Sequence, residues 1–429
     1  MVDILVIGAT GYTGQLVVRY LNEHPERSKF TLGIAARSKG KLTELKAKLS
    51  LSDKVRLFYV DVTKWDEMEE VVRSASVVIN AVGPYWRWGA PVVRACARHG
   101  KHYVDLSGEQ HWIREMILKY DYAASKTHAI IIPSCGFDSV PSDLAVFLGN
   151  KTLKTLVGPD SEIDSSISAF DVKGSVSGGT FSTIINTFEE VPPYKLQLGM
   201  QDWALSTHLR GEPGFSTKLI YKLPFLPIVG GIWVMAGANT AIVQRSWGLN
   251  QRVANNSNSR EAKIRSYGPK FKYDEFKVAS STIKSFFLSL SMVFGLAVLI
   301  IPPLRWLAKK LGPAPGTGPS EEELKNYSME VTNITSSVAT PSKPATHVRT
   351  VVKGNRDPGY VLASVMVAES ALALLLSKSE LPELAQQGGI LTPASALGDV
   401  LVKRLEASQL MSFESEVILG SQTENRKNT

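Results

Sequence analysis

The chain opens MVDILVIGATGYTG, and these fourteen residues restrict its fold more than any other stretch. Val2–Ile7 is a short, β-branched apolar run, the pattern of a parallel strand buried on both faces. It runs into Gly8, Gly11 and Gly14, and then into Gln15 to Leu21, where apolar residues recur at helical spacing. A strand, a glycine-rich turn and a helix form a diphosphate site. Gly8 permits the tight turn, Gly11 lets backbone approach a pyrophosphate, and Gly14 lets the helix pack close on the strand. Ala9, Thr10, Tyr12 and Thr13 fill the loop between them, and free N–H groups at the helix start face the charge. The spacing is GxxGxxG instead of GxGxxG, a variant that suits the same dinucleotide; the bland alternative is an ordinary glycine turn.

The next unit names the dinucleotide. Residues 30–36 (FTLGIAA) read as a second strand ending in Arg37, Ser38 and Lys39. An NAD site usually carries an acidic residue at this strand end, to bind the ribose 2′-hydroxyl. Here two cations stand in its place. Arg37 can pair with a 2′-phosphate and stack on adenine, and Lys39 adds charge, which favours NADP(H) over a merely solvated basic turn.

The alternation continues through strands at 55–61, 77–82, 103–106 and 129–133, with helical patterns near 41–49, 66–73, 90–99 and 110–126. Strands separated by helices predict an α/β class, with a Rossmann doubly wound parallel sheet over residues 1–150 and ligands at the carboxyl strand ends. Asp61 falls near the adenine edge of such a sheet. Asn80, Val82 and Gly83 fall at the fourth strand end as further cofactor contacts. With Tyr85, Asp105, Ser107, Glu109 and Asp138 they predict a polar cleft.

After Asn150 the alternation stops, and a second, mixed α+β domain is expected over 151–353. Strands are predicted at 162–172, 328–338 and 347–353, with SGGT at 177–180 opening a helix. Residues 354–420 read as a C-terminal helical stretch, with Thr392 capping a helix from Pro393 to about Leu405. The polar tail 421–429 reads as disordered. A chain of 429 residues with 44% hydrophobic content supports two domains. Cys96 and Cys135 suit a reducing compartment and no disulfide framework. A strand starting at Val2 leaves no room for a signal peptide. The net charge of +8 fits anionic cofactors and a membrane surface, and no aromatic-basic array for nucleic acid is present. None of the seven histidines forms an HxxxH pair, so no metal is expected.

Residues 285–304 (SFFLSLSMVFGLAVLIIPPL) carry no charge, and Pro302-Pro303 shortens the helical part to about seventeen residues. Three readings stay open: monotopic insertion, a true span, and a buried helix. A true span would put the residues after it across the membrane from the cofactor domain. Residues 312–319 (GPAPGTGP) read as a surface linker.

Together GATGYTG at 8–14, AVGPYWRWG at 81–89, YVDLSGE at 103–109, GFDSVPSDL at 136–144, SGGT at 177–180 and GGILTPASAL at 388–397 resemble saccharopine dehydrogenase-like oxidoreductases. The likeness covers nearly the whole chain. That family is similar to bacterial trans-acting enoyl reductases, which reduce double bonds in polyketide-derived lipids, and includes animal members found on lipid droplets. The resemblance implies a Rossmann domain, an α/β second domain and a C-terminal stretch returning to the first. It also implies attachment through 285–304 to a lipid droplet or the cytosolic face of the endoplasmic reticulum, the alternative being a cytoplasmic protein. The second half holds no arginine cluster of the kind a tricarboxylate amino acid requires, and the apolar segment at 285–304 points to a small apolar, lipid-like substrate.

Four residues are catalytic candidates. Tyr85 can donate a phenolic proton or form an aromatic wall for the nicotinamide. Glu109 and Asp138 stand at helix starts, where carboxylates more often cap. Thr180 can orient a carbonyl. Tyr122-Ala-Ala-Ser-Lys126 matches the YxxxK pattern but sits at the wrong end of its helix. Two functions remain: an NADP(H)-dependent reductase of an activated C=C (enoyl) or C=O bond in a lipid-like or polyketide-like substrate, or a dinucleotide-binding redox sensor or droplet scaffold without turnover. The crowded polar cleft favours the enzyme.

Overall fold

The structure is a computed structural model that describes residues 1–174, 178–312, 320–341 and 343–418. Its first sheet holds β1 (Val2–Ile7), β2 (Leu32–Ala36), β3 (Arg56–Tyr59), β4 (Ala75–Asn80), β5 (His102–Asp105) and β6 (Ile130–Ile132). A late strand, β13 (Gly389–Ile390), adds to the β6 edge, and the order is β13-β6-β5-β4-β1-β2-β3. All neighbours are parallel. β1 and β2 are buried because helices cover both faces, which is why their sequences are continuously apolar. The strand order reverses between β1 and β4, the switch point where an α/β sheet opens its ligand crevice. This is the doubly wound fold expected from the sequence.

The second sheet joins β7 (Ile163–Lys173), β8 (Tyr221–Lys222), β9 (Val229–Gly231), β10 (Lys272–Ala279), β11 (Ser328–Ser337), β12 (His347–Gly354) and β14 (Met411–Ile418) in the order β14-β12-β11-β7-β10-β9-β8. Only β7 and β10 pair in parallel. The Val140–Val157 helix leads from one sheet to the other, so the boundary drawn at residue 150 cuts a continuous helix. At Gly149 it approaches the second sheet so closely that a Cβ would lie 2.5 Å from Thr335 Oγ1. The buried polar groups it covers bond one another: Asn333 Nδ2 donates to Ser166 and Ser168, and Thr335 donates to Asn333 Oδ1.

The C-terminal stretch is not helical throughout, because β14 returns to the second sheet and pairs with β12. The helix predicted from Pro393 breaks at Gly398, where φ is +47°, into Pro393–Ala396 and Asp399–Ala407. Thr392 caps the first piece through Ser395 N. The Ala363–Leu376 helix packs on the Tyr12–Glu23 helix and beside β4 and β5. Its buried Glu369 accepts from His24 or its tautomer at 2.9 Å and from Arg404 Nε at 2.7 Å, while Arg404 Nη2 reaches Glu26 at 2.8 Å. Buried Arg245 fastens β13, with Nε 3.0 Å from Ile390 O and Nη1 2.6 Å from Leu205 O.

Among the described residues two helices are long and apolar enough to cross a membrane, and they differ in placement. The segment Pro358–Leu376 is 78% buried and belongs to the core, whereas Thr282–Ile300 is 11% buried. The latter turns its serines inward. Ser289 Oγ donates to Leu219 O at 2.6 Å and accepts from Ile232 N at 2.9 Å, and Ser285 is also buried. Ile283, Phe287, Leu290 and Phe294 face outward. The buried-helix reading of 285–304 is therefore overturned. β10 before it and β11 after it lie in one sheet. Of the predicted linker, 313–319 lie outside the described residues, as do residues 419–429 with the predicted tail.

Candidate active site

The glycine loop is built as a phosphate cradle. Gly8 takes φ +81°, and a Cβ there would lie 2.7 Å from Val82 Cγ2 and 2.9 Å from Ala81 O. Thus Val82 backs the loop from the neighbouring strand end. A Cβ on Gly14 would overlap the Gly8 carbonyl, so the Tyr12–Glu23 helix starts against the turn itself. Gly8 N and Ala9 N donate to Ala35 O, and Gln15 Nε2 ties down Thr10 O at 3.1 Å. The helix has Gly11 as N-cap, with no side-chain cap and no acidic residue in its first turn. That leaves Thr13 and its neighbours at a helix start suited to an anion. The Tyr12 ring meets Tyr360 edge-on at 5.2 Å, so the C-terminal stretch walls one side of the loop.

At the β2 end Arg37 is exposed; hydrogen bonds from Thr63 hold the half-buried Asp61 carboxyl below its usual range, and the Arg37 charge adds a smaller push in the same direction. Ser38 is the N-cap of the Lys39–Lys48 helix and accepts from Lys41 N. Lys39 Nζ stands 5.6 Å from the Tyr59 ring centroid. The half-exposed Tyr59 thus offers a flat apolar face beside a cation, a feature no sequence pattern marks.

The fourth and fifth strand ends are tied together by buried side chains. Asp105 accepts from Tyr103 OH at 2.7 Å, Ser107 N at 2.9 Å and Ser134 N at 2.8 Å. Burial still pushes its carboxyl up to about 6. Asn80 is fully buried, accepting from Val82 N at 3.1 Å and donating to Tyr103 OH at 3.2 Å. The amide shapes the loop that carries Gly83. Tyr85 is tied to the same strand ends. Its hydroxyl donates to Asn80 O at 2.9 Å and accepts from Leu106 N at 3.2 Å, and burial drives the phenol well above its ordinary range. A phenol held in this way braces the loop.

The two carboxylates also depart from simple capping. Glu109 precedes the Gln110–Lys126 helix but gives it no side-chain cap. Its oxygens accept instead from Tyr85 N at 2.7 Å and Trp86 N at 2.8 Å, and burial pushes it up to about 7. Asp138 precedes Ser139, the uncapped start of the Val140–Val157 helix. Among the described residues it makes no hydrogen bond, and burial lifts its carboxyl to about 6. Its Oδ2 lies 2.9 Å from where a Cβ on Gly108 would fall, and Met235 Cε is 3.7 Å from the same point. The absence of a side chain at Gly108 therefore lets this acid approach the backbone closely. Thr180 lies in the first turn of the Gly178–Glu190 helix, and its side chain lies outside the described residues. Tyr122 is exposed on the outer surface with Lys126 stacked on its ring.

A strand-order reversal, an uncapped glycine loop and a cationic second strand end define a dinucleotide-dependent oxidoreductase. Residues 4–132 match the family described as saccharopine dehydrogenase NADP binding domain, and the cofactor is NADP(H). A Mycobacterium tuberculosis protein named as a candidate trans-acting enoyl reductase is 32% identical over 427 residues, 95% of this chain and 96% of its own. A Mycobacterium bovis trans-acting enoyl reductase is 31% identical, covering 94% and 95%. In fold, the chain is similar to apo saccharopine dehydrogenase (L-Glu forming) from Saccharomyces cerevisiae. That likeness has a TM-score of 0.53 and 12% identity, covering 98% of this chain and 100% of the other. The chain belongs to the saccharopine dehydrogenase-like oxidoreductase family, together with the trans-acting enoyl reductases.

Proposed function

We propose that the protein reduces an activated C=C (enoyl) or C=O bond of a small apolar, lipid-like or polyketide-like substrate, working from the cytosolic surface of a lipid droplet or the endoplasmic reticulum. The observation that carries the chemistry is Asp138, a carboxyl without a partner among the described residues, lifted to about 6 and lying close against Gly108 beyond the fifth strand end. Bound NADPH supplies a hydride. The chain must add a proton at the adjacent atom, and a carboxyl raised toward neutrality holds one at Oδ better than an ordinary aspartate. Tyr85, Glu109 and Asp105 hold the surrounding loops still, and Gly8, Gly11, Gly14, Arg37 and Lys39 would hold the phosphates.

The surface reading is supported by the outward apolar face of Thr282–Ile300, followed by Arg305, Lys309 and Lys310. Flanking strands in a single sheet favour a helix lying in one leaflet over one crossing the bilayer.

NADPH oxidation with enoyl and ketone lipids in vesicles, on the native protein and Asp138→Asn, tests the reading. The variant should bind NADPH normally and lose roughly 10²- to 10⁴-fold in turnover. Native turnover should fall as pH rises through about 6, as the acid loses its proton. NADPH binding without turnover of any such lipid would instead support a sensor or scaffold.

A further inference from the structure

The outward apolar helix does not end on bare surface. Where it stops, at Ile300, it borders an open cavity of about 560 Å³ whose other wall is formed by Phe188, Val191, Leu196 and Met200. That volume lies within the range of small-molecule sites. These residues belong to the Gly178–Glu190 and Pro193–Gly199 helices and the turns that follow them. Arg305 also lines it, its Nη1 donating to Leu299 O at 2.7 Å, so the cation is fixed by the end of the apolar helix. An ion pair of Lys309 with Glu189 at 2.7 Å closes the Pro302–Leu311 helix on the Gly178–Glu190 helix.

The same two wall helices also rest on the cleft side of the first sheet. Glu190 pairs with Arg87, two residues beyond Tyr85. Lys195 pairs with Glu115 at 2.9 Å and lies 4.6 Å over the Trp86 ring. Gly199 lies against His111, where a Cβ would come within 2.8 Å of the backbone. The cavity wall is thus one layer thick between the exposed apolar helix and the loop that Glu109 holds.

We propose that this cavity binds the hydrocarbon tail of the lipid-like substrate and draws it from the membrane toward the cleft, an inference that rests on the proposed function for the fate of the tail. Three observations select this occupant. The cavity shares Ile300 with the exposed apolar helix, so a chain leaving a leaflet enters it without crossing water. Its walls are mostly aliphatic and aromatic, which recognises methylenes without specifying a head group. Arg305 adds a cation to this lining, which suits a polar or anionic head.

The test uses full-length protein with phosphatidylcholine vesicles carrying a pyrene-labelled hexadecanoyl lipid, and follows transfer of the probe to protein. Leu196→Glu and Met200→Glu place a carboxylate in the cavity at positions not fully buried, and Met200→Leu is the conservative control. Leu196→Glu, at the half-buried position, should lose roughly tenfold or more in probe affinity, because an unpaired charge in an apolar wall is costly, and Met200→Glu, at an exposed position, should lose less. Met200→Leu should keep it, and NADPH titration should be unchanged in all three. Turnover of a hexadecanoyl-length enoyl substrate should fall while that of a four-carbon analogue is retained. Probe affinity unaffected by both Glu variants overturns the site, even where turnover supports the reductase reading. Loss of probe binding in a protein that turns over no enoyl or ketone substrate leaves the tail site standing and removes the reductase.

Discussion

The Glu109 carboxylate caps the helix that begins at Tyr85, not the one that begins at its own next residue. A residue bordering the fifth strand end thereby fixes the loop after the fourth. Removing it orphans two buried N–H groups, each worth about 1–3 kcal/mol. Glu109→Ala should lower unfolding free energy in urea by about 2–4 kcal/mol, and Glu109→Gln, which keeps one acceptor, by clearly less. Equal losses in the two variants would refute the cap.

Arg37 decides between cofactors if it receives the 2′-phosphate. Arg37→Ala should weaken NADPH binding by roughly 10- to 100-fold in a fluorescence titration, with NADH affected less than threefold. Gly14→Ala should weaken both nucleotides together, since a Cβ there collides with the Gly8 carbonyl and displaces the whole turn.

Buried Asp143 accepts from Ala394 N at 2.8 Å and from Ser246, and burial pushes it up to about 7 from 3.8. Its folded pKa is raised, so the native state binds the extra proton. The associated stability is fully present below about pH 4 and is lost as pH rises through about 7. The slope over that window is on the order of 1.4 kcal/mol per pH unit. Asp143→Asn should flatten the decline in stability between pH 5 and 7, measured by urea unfolding at each pH. An unchanged slope would show that Asp143 does not carry it.

Glu369 is a carboxylate on an otherwise apolar helix, and it is tolerable because Arg404 and His24 reach it. Arg404→Met should destabilise by about 3–5 kcal/mol through the uncompensated charge. The double variant with Glu369→Gln should recover a large part of that loss, and a thermal-unfolding cycle of all four proteins reads the coupling.

Phe287 and Phe294 point outward from the serine-docked helix. Changing both to Ser should lower vesicle co-sedimentation at least tenfold while leaving NADPH affinity unchanged, because neither side chain supports the cleft. Unaltered co-sedimentation would move attachment elsewhere on the surface.

The doubly wound sheet was legible from the chain because its signals are local. An apolar strand, three glycines and a helix start lie within fourteen residues, and each buried strand announces itself by composition. Arg37 and Lys39 were legible for the same reason, being read against the acidic residue expected at that strand end. The tasks of Tyr85, Asn80, Glu109 and Asp138 were not, since they depend on neighbours tens of residues away. Tyr85 became a brace only when Leu106 N arrived beside its hydroxyl, and Glu109 became a cap for a helix that precedes it in the chain. Arg245 and β13 illustrate the same limit, because a two-residue strand has no pattern until a buried guanidinium holds it to β6. By itself the sequence determined the periodicity, the glycine turn and the charge at the second strand end, all set by steric and hydrophobic rules between near neighbours. Tertiary structure alone decided which polar groups are committed inside and which carboxyl is left without a hydrogen-bond partner among the described residues, because hydrogen-bond satisfaction and desolvation are properties of the packed chain.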